Sequence, residues 1–175
     1  MNYNNVGEIF EAIETTREKF KQKISTLTDE QTKLRENGQG WMVVEIVEHI
    51  GIVESGINLI AAKLLAQAES EGKKSDGVFN PPILFAEKIA SIQDRKLEAP
   101  ERVHPQGKQT IAESLTKLDE NRRALNNFRP RIEAVDLSNA TFPHPFLGDL
   151  NLYEWLIMTG LHERRHLRQI ENILA

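Results

Sequence analysis

Cysteine is absent from all 175 residues. That excludes disulfides, thiolate metal ligands and a cysteine nucleophile belonging to the chain, so any thiol chemistry here must use sulfur from another molecule. Long apolar runs are absent as well. No stretch approaches the roughly 20 consecutive apolar residues that cross a bilayer, and Met1 to Val6 lack the charged and apolar regions of a secretory leader. The expectation is a cytoplasmic protein without a membrane partner. An excess of positive charge is missing too: 22 Lys and Arg face 26 Asp and Glu, a formal net charge of -4. No global basic field is available to draw the chain onto phosphate backbones, so nucleic acid is not an expected partner. Finally, no alternating strand pattern, internal repeat or low-complexity tract is visible.

What is present is the composition of an ordinary globular protein, 39% hydrophobic and 27% charged. A chain of this length can bury a core without covalent or metal staples, and residues 1–175 are expected to form one domain. From Val6 the apolar residues Ile9, Phe10, Ile13, Phe20, Ile24 and Leu27 recur at spacings of three, four and seven, the stripe of an amphipathic first helix. It is expected to end near Leu27, where Thr28 and Gln31 can form a capping box opening a short second piece stopped by Gly38 and Gly40. Trp41 then begins a second, more buried helix carrying Val44, Ile46, Val47, Ile50, Val53, Ile57, Ile60 and Leu64. The segment from Gly72 to Gln109 reads as a long crossover with one modest helix, started at Asn80, Pro81 and Pro82 and running through Ile83, Ile89 and Ile92. Thr110 and Glu113 cap the third bundle helix, expected to stop at Pro130. Asn151 and Glu154 cap the last, which runs to Leu174. The fold class is all-α, a helix bundle.

The chemistry lies in the last helix. Its inward stripe is Leu152, Trp155, Leu156, Thr159, His162, His166, Ile170 and Ile173, so two histidines occupy positions where the pattern asks for apolar side chains. Spaced i and i+4, they stand one turn apart on one face, a separation that lets two imidazoles bind one ion. His49 lies on the face of the second helix shared by Glu45, Ile46, Val53 and Ile60, and offers a third nitrogen. Three neutral imidazoles leave a coordination position open, as catalytic sites do, whereas structural sites are closed by four protein ligands. Imidazole suits zinc, nickel, iron and copper, with zinc or nickel the expected ions. Glu45, one turn before His49, is a candidate fourth ligand or a residue that orients an imidazole. His104 and His144 lie in Pro-rich loops and are expected to be solvent-exposed, although His144 could approach the site from the loop before the last helix. Arg164, Arg165 and Arg168 read as a solvated face, and Trp41 and Trp155 as packing.

The segments Trp41-Met-Val-Val-Glu-Ile-Val-Glu-His49, His144-Pro-Phe-Leu-Gly148, Tyr153-Glu-Trp155 and His162-Glu-Arg-Arg-His166-Leu-Arg-Gln-Ile170 resemble the DinB/YfiT-like superfamily over essentially the whole chain. The resemblance implies a four-helix bundle with a long crossover between helices two and three, and a divalent-metal site at His49, His162 and His166. It also implies a class of activity, since characterised relatives include transferases and an isomerase that use low-molecular-weight thiols such as bacillithiol or mycothiol. The expected function is metal activation of such a thiol for attack on a small electrophilic substrate. A metal-dependent hydrolase and a non-catalytic, stress-associated metal-binding bundle stand as alternatives. Bundles of this kind commonly pair through an outer helix face, so a homodimer is a further expectation.

Overall fold

The computed structural model describes residues 3–75, 83–92 and 97–175. Four long helices make the body: α1 (Val6–Ile24), α3 (Val43–Glu71), α5 (Ile111–Ala134) and α6 (Leu152–Leu174). Two short ones, α2 (Asp29–Thr32) and α4 (Ile83–Ile92), lie in the connections. No helix among the described residues is long and apolar enough to cross a membrane.

Local signals account for most helix starts. The Asn5 side chain accepts from the Glu8 N–H at 3.0 Å and opens α1. Reciprocal capping boxes open α2 (Thr28 with Gln31), α5 (Thr110 with Glu113) and α6 (Asn151 with Glu154), satisfying backbone donors that a helix start otherwise leaves unpaired. The helix α3 stops at Gly72, whose φ of 69° is the left-handed conformation that glycine adopts without a Cβ clash. The start of α4 expected at Asn80 to Pro82 lies outside the described residues.

Four expectations are corrected. First, short strands exist. A hairpin of β1 (Arg35–Glu36) and β2 (Gln39–Met42) turns through Asn37 and Gly38, both at positive φ, and a second pairs β3 (Thr141–His144) with β4 (Gly148–Asn151). Strands of two to four residues are too short to display alternation, although Asn-Gly is a known hairpin-turn signal. Second, Trp41 belongs to β2, so the second long helix begins two residues later, at Val43. Third, α5 passes through Pro130 and continues to Ala134. Pro130 and Asn126, whose carbonyl loses a hydrogen-bond donor to the ring, both lie on the exposed face where water can compensate. Buried Ile132 holds the last turn down. Fourth, the first helix ends at Ile24, short of Leu27.

The core has two apolar parts. One gathers Phe20, Ile24, Val43, Ile46, Val47, Ile50, Leu118 and Ile170; the larger includes Ile13, Ile57, Leu125 and Leu156. Going from the first to the second, residue numbers fall along α1 and α6 but rise along α3 and α5. The bundle therefore runs up, down, down, up, and the parallel step from α3 to α5 needs the long crossover. Between the two parts sits a buried layer of four charges, one from each long helix. Arg17 donates to Glu163 and Glu54, both at 2.5 Å, and Arg122 donates to Glu54 at 2.9 Å and Glu163 at 3.4 Å. Each guanidinium also caps a backbone carbonyl, Leu118 for Arg17 and Ile13 for Arg122. Burial opposes the Arg17 charge, but Glu163 and Glu54 overcome it and raise its pKa.

Candidate metal centre

Three histidine rings meet between α3 and α6. His49 Nε2 lies 3.3 Å from His162 Nε2, which lies 3.2 Å from His166 Nε2. All three ligand atoms fall within 4.8 Å of one another. His162 and His166 share one face of α6 because a helical turn separates them, and the His49 ring stands across from both, with ring centroids at 5.1 and 5.0 Å.

The opposite ring nitrogens set the tautomers. His49 Nδ1 donates to the carbonyl of Val103 at 2.7 Å, and His166 Nδ1 donates to Gln169 Oε1 at 2.8 Å. A carbonyl only accepts, so Nδ1 carries the hydrogen in both rings and each Nε2 presents a lone pair to the centre. Burial depresses all three pKa values. His49 is lowered by desolvation, His162 is pushed well below the ordinary value by desolvation and then by His166 and His49, and His166 falls to about 3 through desolvation and then His49. At neutral pH the trio is uncharged. His162 Nε2 carries at most one hydrogen, yet it faces two lone pairs at short distance, so protein atoms alone leave the cluster one donor short.

A divalent cation fits this geometry. Two nitrogens held about 2.0–2.1 Å from one zinc at a tetrahedral angle stand roughly 3.3–3.4 Å apart, close to the 3.3 and 3.2 Å that separate His162 Nε2 from His49 and His166, while all three ligand atoms stay within 4.8 Å. The partner of His49 Nδ1, a backbone carbonyl, is one that usually orients a metal-binding imidazole, and Gln169 Oε1 offers His166 Nδ1 an acceptor in the same position. His49 is buried, while His162 and His166 keep part of their surface accessible.

Glu45 is placed otherwise than as a ligand of this trio. Its carboxylate accepts from the Met42 N–H at 2.7 Å, completing the start of α3, and lies 3.5 Å from Arg35. Among the described residues no carboxylate belongs to the converging group, and the oxygen orienting His49 comes from Val103. Trp41 packs on His49 with centroids 4.8 Å apart, and its edge meets His104 at 5.6 Å. His104 is exposed as expected, with Nε2 bonded to the Ala99 carbonyl at 2.8 Å. His144 is not fully exposed: it is half-buried on β3, 5.2 Å from the Trp155 ring. Desolvation and then the Arg102 charge lower its pKa to about 4, and it is near enough to act electrostatically on His162. Arg164, Arg165 and Arg168 are exposed, and Arg165 adds positive potential at His162 and His166.

Sequence reading missed Val103, Glu48 and Gln169. Only Gln169 left a local signal, its i+3 spacing from His166. Glu48 is buried, and its two oxygens accept the N–H groups of Gln106 and Gly107 at 3.1 and 2.9 Å. The charged layer was also missed, although its members sit at regular intervals in the apolar stripes, three in gaps of seven and one midway across a gap of fourteen. Arg17 falls between Ile13 and Phe20, Glu54 between Ile50 and Ile57, Arg122 between Leu118 and Leu125, and Glu163 midway from Leu156 to Ile170.

Comparison with known proteins agrees with this architecture. The DinB superfamily profile matches residues 12–170. An uncharacterized protein of Bacillus subtilis (strain 168), YuaE, is 22% identical over 157 residues, covering 86% of this chain and 88% of that protein. A crystal structure of TT2238, a four-helix bundle protein, superposes with a TM-score of 0.63 at 20% identity, over 94% of this chain and 97% of that one. The likeness to TT2238 is one of fold. The chain belongs to the DinB superfamily.

Proposed function

We propose that this DinB superfamily member is a metal-dependent enzyme whose His49, His162 and His166 hold one divalent ion, zinc or nickel, and that it activates a low-molecular-weight thiol for transfer to a small electrophile. The observation that carries the metal reading is the convergence of three uncharged imidazoles at 3.2 and 3.3 Å with one hydrogen too few to satisfy them.

An ion held by these three imidazoles would supply Lewis acidity, lowering the pKa of a bound thiol. The residues favour the anionic form of that thiol in two ways. All three histidines are neutral, so they would leave a bound ion its full charge, unlike carboxylate or cysteine ligands. Arg165 adds positive potential at His162 and His166. The Val103 carbonyl and Gln169 hold His49 and His166 in the ligating tautomer, while Trp41 covers one face of His49. The absence of cysteine means that no thiol of the chain competes for the ion.

The test compares metal-loaded protein, metal-stripped protein and His166→Ala for consumption of bacillithiol, mycothiol, glutathione and coenzyme A with a panel of electrophiles. Thiol consumption confined to the loaded wild type is expected. Equal rates in all three preparations contradict metal-assisted transfer, and ester cleavage without any thiol moves the reading to a hydrolase.

A further inference from the structure

Neighbouring residues of α3 hold the crossover in two complementary ways. Glu48 receives two successive backbone N–H groups, those of Gln106 and Gly107, and His49 gives its Nδ1–H to the carbonyl of Val103. The short stretch from Val103 to Gly107 is therefore gripped by a buried acceptor pair and by a donor. Gly107 adopts a φ of 68°, and a Cβ there would meet Glu45 Oε1 at 3.4 Å, so the turn lies close against the first turns of α3. No metal ligand comes from this stretch, and its effect on the site passes through the His49 ring. A backbone carbonyl 54 positions away in sequence can select one tautomer of His49 only if its loop is fixed to a small fraction of a hydrogen-bond length.

We propose that Glu48 is a positioning residue for the candidate metal centre: by anchoring the Gln106–Gly107 turn it holds the Val103 carbonyl against His49 Nδ1 and keeps Nε2 free of hydrogen and aimed at His162. This rests on the three-histidine reading above for its consequence, but not for the placement of the loop. The Glu48 carboxylate sets a separate acceptor oxygen against each of the two N–H groups. Glutamine keeps the shape but has one acceptor oxygen and an NH2 group that cannot receive the second hydrogen. Alanine leaves both buried N–H groups without their partner.

The experiment measures imidazole ¹⁵N shifts and ring-proton correlations in metal-free wild type, Glu48→Gln and Glu48→Ala, followed by zinc titration of each. Wild-type His49 should show a single tautomer with hydrogen on Nδ1. In Glu48→Ala it should become a mixture of Nδ1–H and Nε2–H forms, with Glu48→Gln between. His166, oriented by Gln169, should keep its pattern in all three and so report that the helices remain in place. Zinc affinity should fall by about 10 to 100-fold in Glu48→Ala, the usual effect of removing support behind a metal ligand. If Glu48→Ala does not fold, the isosteric Glu48→Gln carries the test. An unchanged His49 tautomer and unchanged zinc affinity in the folded variants overturn the proposal. A wild type that takes up no zinc contradicts the metal reading, and the tautomer measurement then decides the role of Glu48 separately.

Discussion

Two polar clusters interrupt the same apolar interior, and they are built on opposite principles. The layer of Arg17, Glu54, Arg122 and Glu163 holds two cations and two anions, and its donors are matched to carboxylates or backbone carbonyls. It is electrically closed and asks for nothing more. The histidine cluster, nearby on α3 and α6, contains three neutral rings whose nitrogens face one another with too little hydrogen to go round. Glu163 and His162 are adjacent in sequence, yet one faces a partner of opposite charge and the other faces two of its own kind. A buried polar group costs stability unless it is satisfied. The closed layer therefore reads as structure, and the open cluster as a place for a cation from outside.

That contrast predicts different responses to damage. Removing one carboxylate from the closed layer, as in Glu54→Ala, leaves two buried guanidinium groups sharing Glu163, with only the more exposed Glu14 at 3.5 Å from Arg122 besides. Breaking such a buried network costs about 3–5 kcal/mol, which denaturant unfolding should show equally with and without metal. A loss below about 1 kcal/mol would mean that the layer contributes little and that the comparison is mistaken.

Acid should act on the open cluster. His166 has its pKa depressed to about 3 in the fold, and His49 and His162 are depressed as well, whereas an unfolded histidine takes up its proton near 6.5. The folded state binds fewer protons below that value, so stability is fully present above about pH 6.5. It should decline as pH falls towards 3, by up to about 1.4 kcal/mol per pH unit from His166, with His49 and His162 acting in the same direction. Metal-free His166→Phe should show a shallower decline, measured as denaturant midpoints from pH 7 to 4. An identical slope in wild type and variant would show that His166 is not held neutral by the fold.

The same contrast explains what the sequence could reveal. Caps are contiguous, so Thr28 with Gln31, Thr110 with Glu113 and Asn151 with Glu154 were legible as helix starts. His162 and His166 were legible because histidine on an apolar stripe breaks the pattern visibly, and His49 because it shares a face with Ile46 and Val53. The charged layer was written nearly as regularly, with Arg17, Glu54 and Arg122 each in a seven-residue gap and Glu163 midway across one of fourteen. A charged residue is ordinarily assigned to solvent, however, and only packing shows that four such gaps coincide at one level. Val103 and Glu48 were out of reach because their partners are 54 to 59 positions distant in the chain. The hairpins were too short for periodicity to register. Pro130 misled because a proline on an exposed helical face loses one hydrogen bond that water can replace.

The most direct test of the open cluster is calorimetric titration of zinc and nickel into metal-stripped wild type, His49→Ala, His162→Ala and His166→Ala, with metal content after dialysis as the stoichiometric check. The open cluster should hold one tightly bound ion per wild-type chain. Each single substitution should weaken binding by at least 100-fold while the far-ultraviolet spectrum stays helical. Failure of the wild type to bind either ion, or binding that survives loss of any one of the three histidines unchanged, would contradict the three-histidine reading.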